Sequence, residues 1–204
     1  MRKAGFLSEE AESWYAEADV LLQRVGAHHA QGLRTLGLTT IRLAQDRTAE
    51  IEPVMRAVYE SVGAPVGVAL ALVLARLDRL DEAQAVSFPA EPVTDHLYGM
   101  ELDFRSQLAV LQHDQETAAA LVEHLLPLRH QLAGAAGAVY ATRPLAHALA
   151  DLYRLLDEQG SAAANYVLAE RTALAWGSPH LAGSARRAAA ELSAAHARRR
   201  TLAT

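Results

Sequence analysis

Apolar residues recur at every third or fourth position along most of this chain. One such stripe consists of Val66, Ala69, Leu70, Val73, Leu74 and Leu77, and another of Leu97, Phe104, Leu108 and Leu111. This spacing places the apolar side chains on one face of a helix with 3.6 residues per turn. With Gly, Pro and Asp taken as helix boundaries, the pattern predicts ten helices, at 8–25, 28–45, 48–61, 64–79, 81–87, 94–112, 115–131, 143–158, 161–176 and 179–199.

Three of these helices are predicted to end at a glycine. Gly26, Gly63 and Gly177 each follow the last residue of an apolar stripe. A glycine at this position adopts positive φ without steric cost and closes the helix. Such stops suit helices that run in antiparallel pairs.

Short polar segments that open helices also recur along the chain. The alanines in them, at positions 11, 49, 83, 118 and 163, stand 38, 34, 35 and 45 residues apart. This period is close to the roughly 34 residues of tetratricopeptide-like helical hairpins. The sequence therefore predicts an all-α fold, a right-handed solenoid of four to five antiparallel helix pairs that forms a single domain over residues 1–204.

Two segments interrupt the repeat. Residues 87–93 contain two prolines, which remove backbone donors and exclude a helix. Residues 132–143 are rich in glycine and end before Pro144, which suits the first turn of the next helix. Both are predicted to be irregular connectors, and the second is either an added functional loop or a plain spacer. Residues 198–204, which begin with three arginines, are predicted to be a mobile tail.

Composition excludes several classes of function. The net charge of −5 provides no field to attract phosphates, so nucleic-acid binding is not expected. Cysteine is absent, which removes disulfides and thiolate chemistry. The most apolar window, residues 66–77, is shorter than the roughly 20 residues that cross a bilayer, and residues 1–10 lack the apolar core of a leader peptide. These features predict a cytoplasmic protein without a membrane partner.

Four segments carry a resemblance to a known family. They resemble the C-terminal tetratricopeptide-like region of large actinobacterial regulators of the LuxR and AfsR/SARP type. The four segments are 49–53, Leu121–Leu128, Arg143–Leu152 and Trp176–Pro179. This chain has Leu128 where those proteins usually have tyrosine, and Arg143 where a glycine often precedes the proline. It has no GxxxxGK[ST] phosphate-binding loop and lacks their ATPase and DNA-binding domains. The resemblance implies a stand-alone sensory module, either detached from such a regulator or adapted to a new ligand.

The histidines do not form a metal-binding pattern. His28 and His29 are adjacent and point about 100° apart on a helix, while His124 and His130 miss the i, i+4 spacing that lets two imidazoles share an ion. The HExxH motif is absent, and the single lysine is Lys3. No metal and no cofactor is therefore expected.

One helix face carries the best candidates for ligand binding. Tyr98, Glu101 and Arg105 recur at steps of three and four residues and share a face of the predicted helix 94–112. We predict that they line a concave pocket together with three further residues, which are Tyr140, Arg143 and His147. The alternative is structural, with Glu101 and Arg105 as an exposed ion pair. Trp176, beside the Gly177 stop, is also predicted to bind ligand.

Three functions remain open from the sequence. The leading one is a non-enzymatic recognition module, regulatory or accessory to a biosynthetic pathway, whose concave face binds a partner protein or a small hydrophobic metabolite. The second is a cofactor-independent enzyme of cyclase, isomerase or hydrolase type, with Glu101 and His147 as acid and base. The third is a homodimer in which an exposed hairpin edge serves only for assembly.

Overall fold

A computed structural model describes residues 9–26, 30–134 and 141–202. These residues form ten α-helices, which are α1 (Glu9–Arg24), α2 (Ala30–Ala44), α3 (Thr48–Val62), α4 (Gly67–Arg76), α5 (Leu80–Ala85), α6 (Tyr98–Gln112), α7 (Gln115–Leu125), α8 (Leu145–Leu155), α9 (Gln159–Ala175) and α10 (Pro179–Leu202). Short 3₁₀ turns, Ala64–Val66 and Leu126–Leu128, precede α4 and follow α7. The described strands are β1 (Leu132–Gly134) and β2 (Ala141–Pro144).

The all-α prediction is confirmed, because 78% of the described structure is helical and 4% is strand. The expectation of a wholly irregular connector over 132–143 is wrong at its two ends, where β1 and β2 pair with each other. Pairing lets neighbouring strands satisfy each other's backbone N–H and C=O groups. The last helix continues through Leu202, beyond the start of the predicted tail. The stacked solenoid of antiparallel pairs stays a prediction.

The described residues divide into two compact units, and the division passes through α6 after Phe104. Among the described residues, the first unit contains 9–26, 30–104, 134 and 141–142, and the second contains 105–133 and 143–202. In the first unit each of the helices α1 to α4 packs on the helix that follows it along the chain. Its centre is α4, whose residues from Gly67 to Ala75 are all buried. A single domain over 1–204 remains a prediction.

The second unit is built in the same sequential way. Each of the helices α7, α8 and α9 packs on the helix that follows it along the chain. Their largest fully buried side chains are Leu125, Leu145, Leu149, Leu152 and Tyr166. Burial of each side chain of this size contributes about 1.5–3 kcal/mol to the stability of the unit.

The same turn joins consecutive helices at five places in the described residues. Each turn has one residue with φ between 54° and 67°, and the next residue donates its N–H to the carbonyl five positions back at 2.8–3.0 Å. This is the long hydrogen bond of a Schellman motif. The positive-φ residues are Asp46, Asp78, His113, Asp157 and Gly177.

These turns correct the register of the sequence repeat. The fifth residue after each positive-φ position is buried, at 0–3% exposure, and these residues are Ile51, Ala83, Ala118, Ala162 and Ala182. Ala49 and Ala163, which the sequence aligned with Ala83 and Ala118, are exposed. The sequence alignment was wrong at those two positions, because it matched residue type rather than distance from the turn.

Asp78 provides a test of this turn. We expect Asp78→Val to lower the free energy of unfolding by about 1–2 kcal/mol, because a β-branched side chain clashes with the backbone at positive φ. Asp78→Gly keeps the turn and is expected to be neutral or slightly stabilising. Urea unfolding followed by circular dichroism measures both variants. Equal midpoints for the valine and glycine variants would show that the left-handed turn carries no strain.

Candidate functional site

The first unit contains a pocket of about 230 Å³. Its floor is apolar and buried, since Val68, Ala69, Met100 and Phe104 are each at most 7% exposed. Most of the remaining lining is also apolar, and it consists of Leu36, Pro65, Val66, Pro89, Val93 and Leu97, with the carboxylates of Asp95 and Glu101. The pocket therefore combines an apolar interior with two acidic side chains.

Helices form the floor of this pocket and an irregular segment forms its rim. The floor residues lie on α4 and α6, whereas Pro89, Val93 and Asp95 lie in the segment 86–97 that connects α5 to α6. This segment includes the two prolines that excluded a helix in the sequence. The base of the site is therefore helical, and the rim is irregular backbone that contains both prolines.

Two carboxylates hold the rim segment in place. Glu101 Oε2 accepts a hydrogen bond from the Val93 N–H at 3.1 Å. Asp95 Oδ1 accepts one from the Leu97 N–H at 2.7 Å, two residues ahead, which is the geometry of an Asx turn. The acidic groups at the pocket are thus fixed in position by backbone donors.

The beginning of the same segment is anchored against α3 and α4. The Tyr59 hydroxyl donates to the Ser87 carbonyl at 3.3 Å and accepts from the Ser87 N–H at 3.1 Å. Gly67 lies so close that a Cβ at this position would be 2.3 Å from the Ser87 carbonyl oxygen. Only glycine allows this approach, so the position of the rim depends on the absence of a side chain at residue 67.

A second cluster of polar side chains lies in the second unit, around Asp151. Arg143 Nη1 donates to Asp151 Oδ2 at 2.5 Å, and the Tyr166 hydroxyl donates to Asp151 Oδ1 at 2.6 Å. His147 Nε2 lies 4.0 Å from the same Oδ1, and the His147 ring meets Tyr166 edge-on with 5.4 Å between centroids. The cluster ties β2, α8 and α9 together.

Burial and charge shift the pKa values of this cluster. Burial alone would raise the pKa of the Asp151 carboxyl, but the charges of Arg143 and His147 and the hydrogen bonds from Tyr166 and Arg143 hold it below its ordinary value. Burial raises the pKa of the Tyr166 phenol far above its ordinary value, and the neighbouring Asp151 charge adds to this effect. Asp151 is therefore ionised and Tyr166 neutral near pH 7.

The predicted site residues fall into both units. Tyr98 and Glu101 lie in the part of α6 that belongs to the first unit, where Glu101 lines the pocket and Tyr98 is half-buried. The structural alternative placed Glu101 and Arg105 in an exposed ion pair. Arg105 is only 6% exposed, so the exposure that this alternative assumed for the arginine is wrong. The residues on either side of Arg105 are buried as well, so packing covers this part of α6. Tyr140 lies outside the described residues.

In the second unit the structure brings together Arg143 and His147, which meet around Asp151. Trp176 follows α9 and is 60% exposed. The sequence analysis missed Asp151 and Tyr166, although the i, i+4 spacing of His147 and Asp151 was a usable signal. A shared pocket for all of the predicted residues stays a prediction.

Comparisons of this chain with protein-family models, with curated proteins and with solved structures gave no match. The resemblance to the tetratricopeptide-like region of regulators therefore remains an expectation that depends on the sequence segments alone. Within the described residues, no three His, Asp or Glu side chains are grouped so as to hold a metal ion. No described helix is both long enough and apolar enough to cross a bilayer.

The two sites differ in what they can do chemically. In the Asp151 cluster Arg143 and Tyr166 both hydrogen-bond to Asp151, and Tyr166 is fully buried, which is typical of a cluster that stabilises packing. In the pocket, apolar walls meet carboxylates at an opening, which is typical of sites that bind small molecules. The pocket of the first unit is the better candidate for ligand binding.

Proposed function

We propose that this chain is a helical-repeat recognition module whose first unit binds a small hydrophobic metabolite. The observation that carries the proposal is the pocket between α4, α6 and the segment 86–97, with its buried apolar floor. Consecutive packing of the helices supports a solenoid of hairpins, the architecture that presents such surfaces. The resemblance to sensory regions of regulators supports a regulatory or accessory role.

The volume of the pocket limits the size of the ligand. At about 230 Å³ it is smaller than the roughly 300–1,000 Å³ of sites for drug-sized molecules. It suits one aromatic ring with a short substituent. A ligand of about ten non-hydrogen atoms at roughly −0.5 kcal/mol per atom binds with a Kd of about 0.1–1 mM.

Recognition fits the pocket better than catalysis does. Both carboxylates accept hydrogen bonds from the backbone of the rim, so their first role is to hold the segment 86–97. His147, one of the two acid/base residues of the enzyme alternative, does not line this pocket. A base has to be within hydrogen-bond reach of the proton that it removes.

Filling the pocket is expected to weaken binding strongly. Ala69 lies on the pocket floor, and Ala69→Leu places three more carbon atoms there. With 2-phenylethanol as the probe, chemical shifts of the Met100 methyl group report binding in the wild type, and we expect at least a tenfold weaker Kd in the variant.

Ala119→Leu provides the matched control. Ala119 is exposed on α7, so the same substitution there leaves the pocket unchanged. We expect wild-type affinity for this variant. Binding that survives Ala69→Leu, or shift changes that avoid the pocket residues, would contradict the proposed site.

A further inference from the structure

We infer that the outer face of α1 is the contact surface of a homodimer, in which α1 of one copy packs antiparallel on α1 of a second copy. This inference goes beyond the proposed function, because the residues that line the pocket lie between Leu36 and Phe104 and α1 ends at Arg24. It follows from the spacing, exposure and charge of the side chains on this face.

Four apolar side chains form a stripe along the outside of α1. Trp14, Ala18, Leu21 and Val25 are separated by steps of four, three and four residues, which places them on one helix face. Val25 directly follows α1 and continues its turn, because its N–H donates to the Leu21 carbonyl. Trp14, Leu21 and Val25 are 63%, 52% and 78% exposed. A contiguous exposed stripe of this kind is typical of a surface that contacts another protein.

The two terminal helices differ in their outer faces. Where helices pack in series, the terminal ones need a polar outer face to remain in water. The last helix, α10, meets this requirement, since its described side chains include none of the large apolar ones that are exposed. The first helix does not meet it, so the stripe on α1 calls for a covering surface.

Charges beside the stripe favour a second copy of this chain as that surface. Glu17 and Arg24 are both exposed and lie seven residues apart, so they share one edge of the stripe. If two α1 helices pack antiparallel about a twofold axis between Ala18 and Leu21, Glu17 of each copy lies beside Arg24 of the other. Opposite charges at such edge positions set the choice of partner and its orientation. Parallel packing would instead place the two Glu17 carboxylates level with each other.

The same twofold axis makes the apolar stripe complementary to itself. It brings Trp14 opposite Val25, and Ala18 opposite Leu21, so a larger side chain meets a smaller one in each layer. An isologous contact of this kind closes at two copies. A contact of about three helical turns buries less than the roughly 800 Å² per partner of a standard interface, so we expect a Kd of about 10–100 µM.

Sedimentation equilibrium on the whole chain, between about 5 and 500 µM, measures this association. We expect the mass of the wild type to rise from 22.0 kDa toward twice that value over this range. Leu21→Glu places a charge at the centre of the stripe in each copy and should weaken dimerisation at least tenfold. Leu174→Glu is the matched control, because Leu174 on α9 is 53% exposed and lies outside the stripe. This variant should dimerise as the wild type does.

Charge exchange tests the antiparallel orientation. Glu17→Arg and Arg24→Glu each make both edge contacts repulsive, and each should weaken dimerisation about threefold to tenfold at about 0.05 M salt. The double variant exchanges the two charges and restores both attractions. We expect its Kd to be within about twofold of the wild-type value. Circular dichroism of each variant checks that the helix content is unchanged.

Three results would overturn the inference. A wild type that stays at 22.0 kDa throughout the range would assign the stripe to a different protein partner. Dimerisation that survives Leu21→Glu, or that Leu174→Glu weakens equally, would place the contact elsewhere. Losses that add in the double charge variant would rule out antiparallel packing. Binding of 2-phenylethanol should be equal in the wild type and Leu21→Glu, so the proposed function is tested separately.

Discussion

Replacing Asp151 by alanine is expected to lower the free energy of unfolding by about 3 kcal/mol, because the change leaves the Arg143 guanidinium and the Tyr166 hydroxyl without their shared acceptor. This value is at the lower end for breaking a buried pair, since 21% of the Asp151 side chain is exposed. Chemical unfolding followed by circular dichroism measures the difference. It is one of the two largest effects that we expect from a single substitution.

The contribution of Asp151 to the free energy of unfolding depends on pH in a defined direction. Its pKa is lowered in the folded protein, so its contribution is fully present above the unfolded carboxyl value of about 3.9. The contribution is lost as the pH falls through the lower folded value. The stability of wild type and Asp151→Ala should therefore converge in acid and differ fully near pH 7.

Two further variants control this experiment. Glu170→Ala breaks the ion pair with Arg186, whose side chain is 65% exposed, and we expect a change of at most about 1 kcal/mol. The double variant Arg143→Met with Asp151→Leu removes both charges and should recover much of the loss seen in Asp151→Ala. A loss for Asp151→Ala as small as that for Glu170→Ala would show that the cluster does not stabilise the fold.

Gly67→Ala is the second substitution with a large expected effect. The added methyl group would lie 2.3 Å from the Ser87 carbonyl oxygen and 2.9 Å from the Phe88 Cβ, so the backbone has to move. Overpacking of this kind costs about 1–3 kcal/mol. Because Ser87 belongs to the segment 86–97 that forms the pocket rim, we also expect weaker binding of 2-phenylethanol.

Gly160→Ala is the matched control for this substitution. Gly160 lies in the first turn of α9, and a Cβ there has no atom within 4 Å. Alanine at this helical position should stabilise the protein by about 0.4–1 kcal/mol, since it reduces the entropy of the unfolded chain. Opposite signs for the two variants in thermal unfolding are the expected result. A Gly67→Ala variant as stable as the wild type would show that the rim is not held by this close approach.

Sequence reasoning located the helices because the signals for helix ends are local. Gly26, Gly63 and Gly177 were predicted to close helices, and all have positive φ in the structure. Asp78 and His113 also have positive φ, and the sequence analysis did not predict a left-handed turn at either residue. Aspartate and histidine also occur in many other conformations, so their residue type does not identify a left-handed turn.

The sites could be predicted less well from the sequence than the helices, because the sites depend on contacts between segments that are distant in the chain. The periodicity of α6 led to the prediction of Glu101, which does line the pocket. Leu36 and Pro65 line the same pocket but lie far from Glu101 in the sequence, so periodicity could not indicate them. Asp151 and Tyr166 are fifteen residues apart on different helices, and only the packing of α8 on α9 brings them together. A spacing rule that applies within one helix cannot predict contacts between residues on different helices.

The repeated turn also bears on how the chain acquires its structure. In each turn the closing hydrogen bond joins residues five positions apart, so little entropy is lost when the loop closes. Adjacent helices can then dock without waiting for distant parts of the chain, and proteins dominated by such local contacts fold within about microseconds to milliseconds. Synthesis from the N-terminus suits this order of events, because each completed helix already has its packing partner beside it.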